Sequence, residues 1–452
     1  MSKAPAYDEA WLAARLRRLA PAARGWCVAW SGGADSTALL AALVALRDAA
    51  AREAQPFLSL RAVHVDHHLQ PAAAGFRRHC RQLARRLAVP LAVKDVDVDR
   101  QRGRSPEEAA RAARYAALAD GLRPGEVLLT GQHAEDQLES VLLQLLRGGG
   151  AAGIAGMPER VSFGSGELLR PLLPVPGAVL RSYLQLRGLP WIEDPSNTDT
   201  RFDRNYLRQA LLPGILARWP AAARTVARSA RHAAMADAVL RRDGARDAAA
   251  AADGPELELA VLRRFAPERQ RLALRSWIVA RGFAIPDELA VAEVQKLLDL
   301  RGDAQPCVAW PGAEVRRHGG RLYLLRGAAP PAAAFASPPR AWSWRRSPRL
   351  ALPGGGTLAL RRDRWGDVDL AQLPAELVVR LRDDAAAGAT ADRGCDVKSL
   401  LREAGIPAWQ RAQVPLVSAG KTLIAVADLW CAERIRARTP GARRARFVWQ
   451  QG

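Results

Sequence analysis

Four short apolar runs mark the first third of the chain: WCVAW at 26–30, SLRAVHV at 59–65, LAVKDVDV at 91–98 and EVLLTG at 126–131. Stretches with helical spacing fall near 36–50, 74–88, 105–121 and 134–146, and the last sets Leu138, Val141, Leu142, Leu145 and Leu146 on one face. Short apolar runs alternating with helices predict βαβ units, hence a parallel sheet of the Rossmann kind with ligands at the carboxyl ends of its strands. From about 220 to 326 the pattern is largely helical, as in ERQRLALRSWIVARGF and DELAVAEVQKLLDLRGD. The Pro/Ala-rich stretch 327–342 reads as a linker. Beyond it, 343–452 carries short alternating runs around one helix near 396–405, the pattern of a small α+β module. The expected division is therefore an α/β domain over 1–217, a helical domain over 218–326, the linker, and a C-terminal domain over 343–452.

Composition narrows the class. At 452 residues and 49% apolar, the chain can fill several packed cores. No apolar stretch reaches the roughly 18 residues of a membrane span, and no charged and apolar leader pattern opens the chain. The five cysteines are scattered and never form a Cys-x-x-Cys pair, which argues against a zinc ribbon, a disulfide framework or an iron–sulfur site. A cytoplasmic protein with no membrane partner is the expectation. The formal net charge is +21, and only five of the 67 basic residues are lysine. GC-rich codons account for arginine in place of lysine, but not for the excess of base over acid. That excess points to a polyanionic partner, nucleic acid before membrane.

Three glycine patterns compete for a phosphate. GGGAAG at 148–153 follows a helical run, whereas a dinucleotide loop must follow a strand, so it reads as a helix stop and loop. GKT at 420–422 lacks the earlier glycine of a Walker loop, since Pro415 stands there, and reads as a hairpin turn. SGGADS at 31–36 follows a strand and opens a helix, so its N–H groups form a nest for phosphate oxygens. Gly32 and Gly33 permit close backbone approach, and Ser31 and Ser36 add hydroxyls, with Ala34 between the glycines and Asp35. No Walker lysine is present. Asp35 in its place suits a pyrophosphate group held with a metal ion between carboxylate and phosphates.

Further candidates follow the other strands. His64, Asp66 and His67 end the second run, but successive residues face opposite ways, so lining a nucleotide site suits them better than ligating zinc. GQHAEDQ follows the fourth run and puts His133 and Asp136 at a helix start on the same sheet edge as Asp35. Asp35 and Asp136 from neighbouring strand ends make a sensible Mg²⁺ pair. Arg111 and Arg114 lie three apart on one helix face as candidate phosphate clamps. Glu193 and Asp194 form an acidic loop suited to an amine, and Arg204, Asn205 and Arg208 follow as candidates for RNA phosphate.

The Ser-Gly-Gly-x-Asp-Ser loop resembles that of the PP-loop ATPases. HVDHHLQ (64–70), EEAARAARYAAL (107–118), GQHAEDQLESVLLQLLRGGGAAGIAGM (131–157), RPLL (170–173) and WIEDPSNTDTRFDRNYLRQALLP (191–213) follow in the order of the tRNA(Ile)-lysidine synthetases. LLREAGIPAWQRAQVPLVSAGKTLIAVADLW (400–430) resembles that family's last domain. One departure is GQHAEDQ, where Gln132 and Glu135 replace the more usual His and Asp. The resemblance implies a ligase that cleaves ATP to AMP and pyrophosphate, adenylates the wobble cytidine of an isoleucine tRNA with a CAU anticodon, and replaces AMP by free L-lysine. The product, lysidine, moves the tRNA from methionine to isoleucine identity. Asp35, His133 and Asp136 are the implied catalytic residues, and the parts beyond the linker are expected to recognise RNA. A tRNA thiolase is disfavoured by the missing Cys-x-x-Cys, and a non-catalytic RNA-binding relic by the retention of Asp35 and Ser36. The oligomeric state, a homodimer included, is not legible.

Overall fold

The computed structural model describes residues 7–66, 73–96, 106–300, 306–327, 339–353, 356–382, 396–439 and 441–450. The chain forms two compact units, Met1–Val239 and Leu240–Gly452. His67 and the expected strand residues 97–98 lie outside the described residues, as does 328–338 of the expected linker.

In the first unit the elements run α1 (Glu9–Leu19), β1 (Gly25–Ala29), α2 (Ala34–Arg52), β2 (Ser59–Asp66), α3 (Ala73–Arg86), β3 (Leu91–Asp95), α4 (Pro106–Asp120), β4 (Glu126–Leu129) and α5 (Ala134–Leu146). There follow α6 (Ala151–Ile154), the hairpin β5 (Arg160–Phe163) and β6 (Gly166–Leu169), and α7 (Gly177–Leu186). The run closes with α8 (Asp203–Tyr206), a π-helical turn over Leu207–Leu211, α9 (Leu212–Arg218) and the long α10 (Ala222–Ala250), within which the unit boundary falls.

The sheet order is β3-β2-β1-β4-β6-β5, parallel except for the edge strand β5. β1 lies between β2 and β4, so the connections leaving β1 and β4 diverge. That is the switch point at which an open α/β sheet forms a crevice beyond its strand ends. Period-2 alternation divides the buried β1 between two cores: Trp26, Val28 and Trp30 pack on one face of the sheet, Cys27 and Ala29 on the other. α2 has an unbroken buried run from Ser36 to Val44, because it is enclosed by the sheet together with α1 and α7. Each of its fully buried leucines, Leu39, Leu40 and Leu43, contributes about 1.5–3 kcal/mol relative to an exposed position. The β5–β6 hairpin is not legible in the sequence, because RVSF and GELL lack the continuous buried apolar run of β1 or β4.

The second unit departs from the largely helical expectation for its first part. It has the expected helices α12 (Pro267–Ala280) and α13 (Glu288–Lys296), after the short α11 (Leu259–Leu262). It also has a five-stranded antiparallel sheet of β7 (Ala252–Asp253), β8 (Glu256–Glu258), β9 (Cys307–Trp310), β10 (Ala313–His318) and β11 (Arg321–Arg326). Gly319 and Gly320, both at positive φ, make the two-residue turn between β10 and β11.

Two further antiparallel sheets form the remainder. One is β12 (Arg340–Trp342), β16 (Leu377–Leu381), β17 (Pro415–Ala419), β18 (Thr422–Val426) and β19 (Trp430–Cys431). The other is β13 (Arg349–Ala351), β14 (Thr357–Arg362), β15 (Val368–Asp369) and β20 (Arg444–Gln450). Both contribute to a core containing Trp342, Leu358, Val417, Ile424 and Phe447. The end of the expected linker is thus strand β12. The expected helix is α14 (Val397–Glu403), joined by a short α15 (Ala408–Arg411). GKT is the β17–β18 hairpin turn, with Gly420 at φ +61°.

Candidate active site

The loop after β1 is shaped by its small residues. Gly32 sits at φ +88°, which side-chain-bearing residues rarely adopt. Gly33 is the N-cap of α2 and supplies no side-chain cap, so the first-turn N–H groups are left for a ligand. The Ser31 and Ser36 hydroxyls lie 3.0 Å apart, and the Ser36 hydroxyl donates to the Gly33 carbonyl at 3.2 Å. The Trp30 indole N–H donates to Thr37 Oγ1 at 3.0 Å and fixes where the helix begins. The loop after β4 passes so close that a Cβ on Gly131 would lie 2.8 Å from the Ser36 nitrogen. Sequence reading did not single out Gly131.

At the start of α5, His133 stands among three carboxylates. Its Nδ1 is 2.8 Å from Glu135 Oε2, and its Nε2 is 3.6 Å from Asp35 Oδ2 and 3.5 Å from Asp136 Oδ2. Burial alone would lower its pKa. The Glu135 bond and the charges of Asp136 and Asp35 outweigh this and lift it to about 9. At neutral pH the ring is therefore an imidazolium, and Nδ1 donates to the Glu135 carboxylate. The 3.3 Å approach of the Glu135 N–H to Nδ1 is a cap only for the neutral ring. Glu135 also accepts from the Gly177 N–H at 2.9 Å, which ties α5 to α7.

Burial pushes the pKa of Asp35 above the ordinary carboxylate value, with His133 opposing and Asp136 adding to the rise. Its Oδ1 is buried and has no hydrogen bond. Both oxygens of Asp136 are engaged: Oδ2 accepts the His133 backbone N–H at 3.0 Å, and Oδ1 accepts from Arg208 at 2.9 Å.

Arg204 and Arg208 are likewise held by carboxylates. Glu139, fully buried on α5, takes Arg204 Nε at 2.9 Å and Arg208 Nε and Nη2 at 2.7 and 2.9 Å. Sequence reading missed Glu139, which one turn beyond Glu135 looks like an ordinary helix carboxylate. These pairs fix the segment 203–211 against α5 and orient Asp136.

A cleft of about 730 Å³ opens over these groups. Ser31, Gly33, Ala34, Asp35, His64, Asp66, Arg114, His133, Glu193, Asp194 and Arg208 line it. Arg181 on α7, not anticipated, lines it too and lowers the Asp35 pKa through its charge. Arg111 and Arg114 part company: Arg114 faces the cleft, whereas exposed Arg111 stacks on Tyr115 at 4.9 Å. Asn205 on α8 donates to the carbonyl of Asp199, just before the helix, at 2.9 Å. His64 donates through Nδ1 to the Trp30 carbonyl at 3.0 Å, and burial lowers its pKa. Asp66 pairs with Arg77 at 2.8 Å. Among the described residues, no group of three or more His, Cys, Asp or Glu gathers as a metal site.

Comparison with known proteins matches this arrangement to three family descriptions: a PP-loop domain over 9–215, a TilS substrate binding domain over 257–323 and a TilS substrate C-terminal domain over 377–449. A tRNA(Ile)-lysidine synthase from Alkalilimnicola ehrlichii is 42% identical over 446 residues, covering 98% of each chain. The chain belongs to the tRNA(Ile)-lysidine synthase family. Further members from Pseudomonas aeruginosa (42% identical, 92% of each chain) and Methylococcus capsulatus (41% identical, 86% of this chain and 88% of that one) agree. The family is one of ATP-using PP-loop enzymes, and the cleft at the sheet's switch point is the part of this member that the PP-loop match covers. Among the described residues, no helix is long and apolar enough to cross a membrane.

Proposed function

We infer that the chain joins free L-lysine to C2 of the wobble cytidine in an isoleucine tRNA with a CAU anticodon, giving lysidine and changing the tRNA from methionine to isoleucine identity. The carrying observation is the glycine loop without a Walker lysine, set at the switch point beside an imidazolium and a buried, unpartnered carboxylate oxygen. In the first step the cytidine O2 attacks the α-phosphorus of ATP. The bond to the bridging oxygen breaks and pyrophosphate leaves. The N–H groups at the start of α2 and the Ser31 and Ser36 hydroxyls hold the phosphate oxygens. Arg114 and Arg181 supply positive charge at the cleft wall.

In the second step the lysine ε-amine attacks C2, the C2–O bond to AMP breaks, and the nitrogen gives up one proton. Adenylation turns a carbonyl oxygen into a leaving group, which is why ATP is required. An amine of pKa about 10.4 must be deprotonated to attack. His133, already an imidazolium, suits donation and charge stabilisation rather than accepting that proton. That proton goes to a carboxylate lining the cleft. Glu193 and Asp194 provide negative charge for the incoming amine.

The unpartnered Oδ1 fits Asp35 as a ligand for Mg²⁺, whereas Asp136 is occupied by Arg208 and would act as a ligand only on exchanging that partner. Bound there, Mg²⁺ would offset the charge of the phosphates. The regions 218–326 and 343–452 would recognise the tRNA, as the substrate-binding descriptions of the matched regions suggest.

The test is incubation with ATP, radiolabelled lysine and total tRNA, then nucleoside analysis and nucleotide quantitation. Lysine-labelled nucleoside with equimolar AMP and pyrophosphate is expected. ADP and orthophosphate, or label only at the tRNA 3′ end, would reject the reading.

A further inference from the structure

Within the second unit, the sequence RRDRWGD at 361–367 closes the end of β14 with a turn that leaves Trp365 77% exposed. It is the most exposed tryptophan among the described residues, so its ring is open to a partner. The turn that carries it is tightly built. The Asp363 carboxylate accepts the Trp365 N–H at 2.9 Å, and its carbonyl accepts the Gly366 N–H at 2.9 Å. Gly366 packs so closely on β20 that a Cβ there would fall 2.2 Å from the Ala445 carbonyl oxygen, which only glycine allows. The Trp365 N–H bond also holds the Asp363 carboxyl below its ordinary pKa. The backbone beneath the indole is thus fixed, and little ordering entropy remains to be lost on binding.

The surroundings are strongly basic. Arg364 lies over one face of the indole, 5.2 Å from its centroid. Arg361 is directly opposite Arg446 across the β14–β20 ladder, an arrangement of like charges that destabilises a sheet. Arg446 is partly relieved by an ion pair with Asp363. Among the described residues, Arg361, Arg362 and Arg364 form no ion pair, and all three are exposed. A preorganised aromatic with a cation on one face and uncompensated arginines beside it is the composition of a single-stranded nucleic-acid contact, where bases stack on the ring and phosphates meet the guanidinium groups.

We propose that Trp365 on the Asp363–Gly366 turn is a stacking platform for an unpaired nucleobase of the tRNA, with Arg361, Arg362 and Arg364 meeting the adjoining phosphates. The proposal rests on the tRNA reading given above and adds to it the contact surface.

The test uses the full chain and a tRNA transcript with a CAU anticodon, titrated at several salt concentrations. Trp365→Ala should weaken binding about 5- to 150-fold, the cost of losing one stacked base, with the salt slope unchanged because no charge is removed. Trp365→Phe should recover most of the affinity. Arg361→Gln should reduce the slope of log K against log salt by about 0.7–0.9. ATP affinity should be unaltered in all three. Trp365→Ala binding as tightly as the parent chain would overturn the platform while leaving the enzyme reading intact. So would a loss that tracks dissociation of an oligomer on sedimentation, which would make the turn a contact between copies of the chain. If the parent chain bound no tRNA at all, the tRNA reading itself would fall and the platform with it.

Discussion

The crevice of the first unit and the Trp365 turn of the second use arginine in opposite ways. In the crevice, Arg204 and Arg208 are held by buried Glu139 and by Asp136, and the imidazolium of His133 is surrounded by carboxylates. At the turn, Arg361 faces Arg446 across the sheet, and Arg361, Arg362 and Arg364 have no ion pair among the described residues. Paired charge fixes geometry, because a desolvated ion pair tolerates little displacement. Unpaired charge in water sets up a field that draws in a polyanion and is weakened by salt. A net charge of +21 therefore conceals two populations, one spent on internal architecture and one on the surface.

The contrast fails or holds first at Asp35. Asp35→Asn should slow AMP and pyrophosphate release on the order of 10³-fold, because the amide is a poor substitute for the anionic Mg²⁺ ligand proposed at this position. It should leave the melting temperature unchanged or raised, because burial disfavours the charged carboxylate. A collapse of stability would show the residue to be structural. Next in size, Glu139→Ala should cost about 3 kcal/mol of unfolding free energy in urea titration, since two arginines lose their buried partner. A change below about 0.5 kcal/mol would mean that the paired arginines do not fix the segment.

His133 gives a pH signature of similar or smaller size. Its folded pKa, about 9, lies above the ordinary 6.5, so its stabilising contribution is complete below pH 6.5 and is lost as pH rises through 9. Thermal melts should show up to about 3 kcal/mol of stability disappearing between pH 6.5 and 9.5. His133→Asn should flatten that limb, and a parallel decline in both proteins would remove His133 as its source. The smallest effect belongs to the surface. Arg361→Gln should weaken tRNA binding only several-fold at physiological salt and leave melting unchanged or slightly improved, because it relieves a like-charge pair. Equal effects on stability from Arg361→Gln and Glu139→Ala would erase the distinction between the two populations.

Much of the first unit was legible because its signals are local. Strand, glycine loop and helix follow one another within about 25 residues, so the pattern placed the loop 31–36 at a strand end, and the same reasoning placed His133 after β4. The β9–β11 sheet escaped because consecutive Arg316 and Arg317 interrupt the alternation of β10 and the helical stretches before it dominate the pattern, although Gly319-Gly320 was a readable hairpin signal. Arg204 and Arg208 were read as phosphate ligands because a sequence shows a free cation wherever it shows an arginine. Their carboxylate partner lies 65 and 69 positions away.

The sequence by itself determined the class of the first domain, the glycine loop at a strand end, the absence of a Walker lysine and the surplus of positive charge. Each is a property of adjacent residues or of a total. The tertiary structure alone decided which charges are spent internally. Strand order brings the ends of β1 and β4 together, which sets Asp35 against His133 and Asp136, and packing of 203–211 on α5 buries Glu139 beneath two arginines. Burial and distance control the strength of a charge, and both arise from residues far apart in the chain.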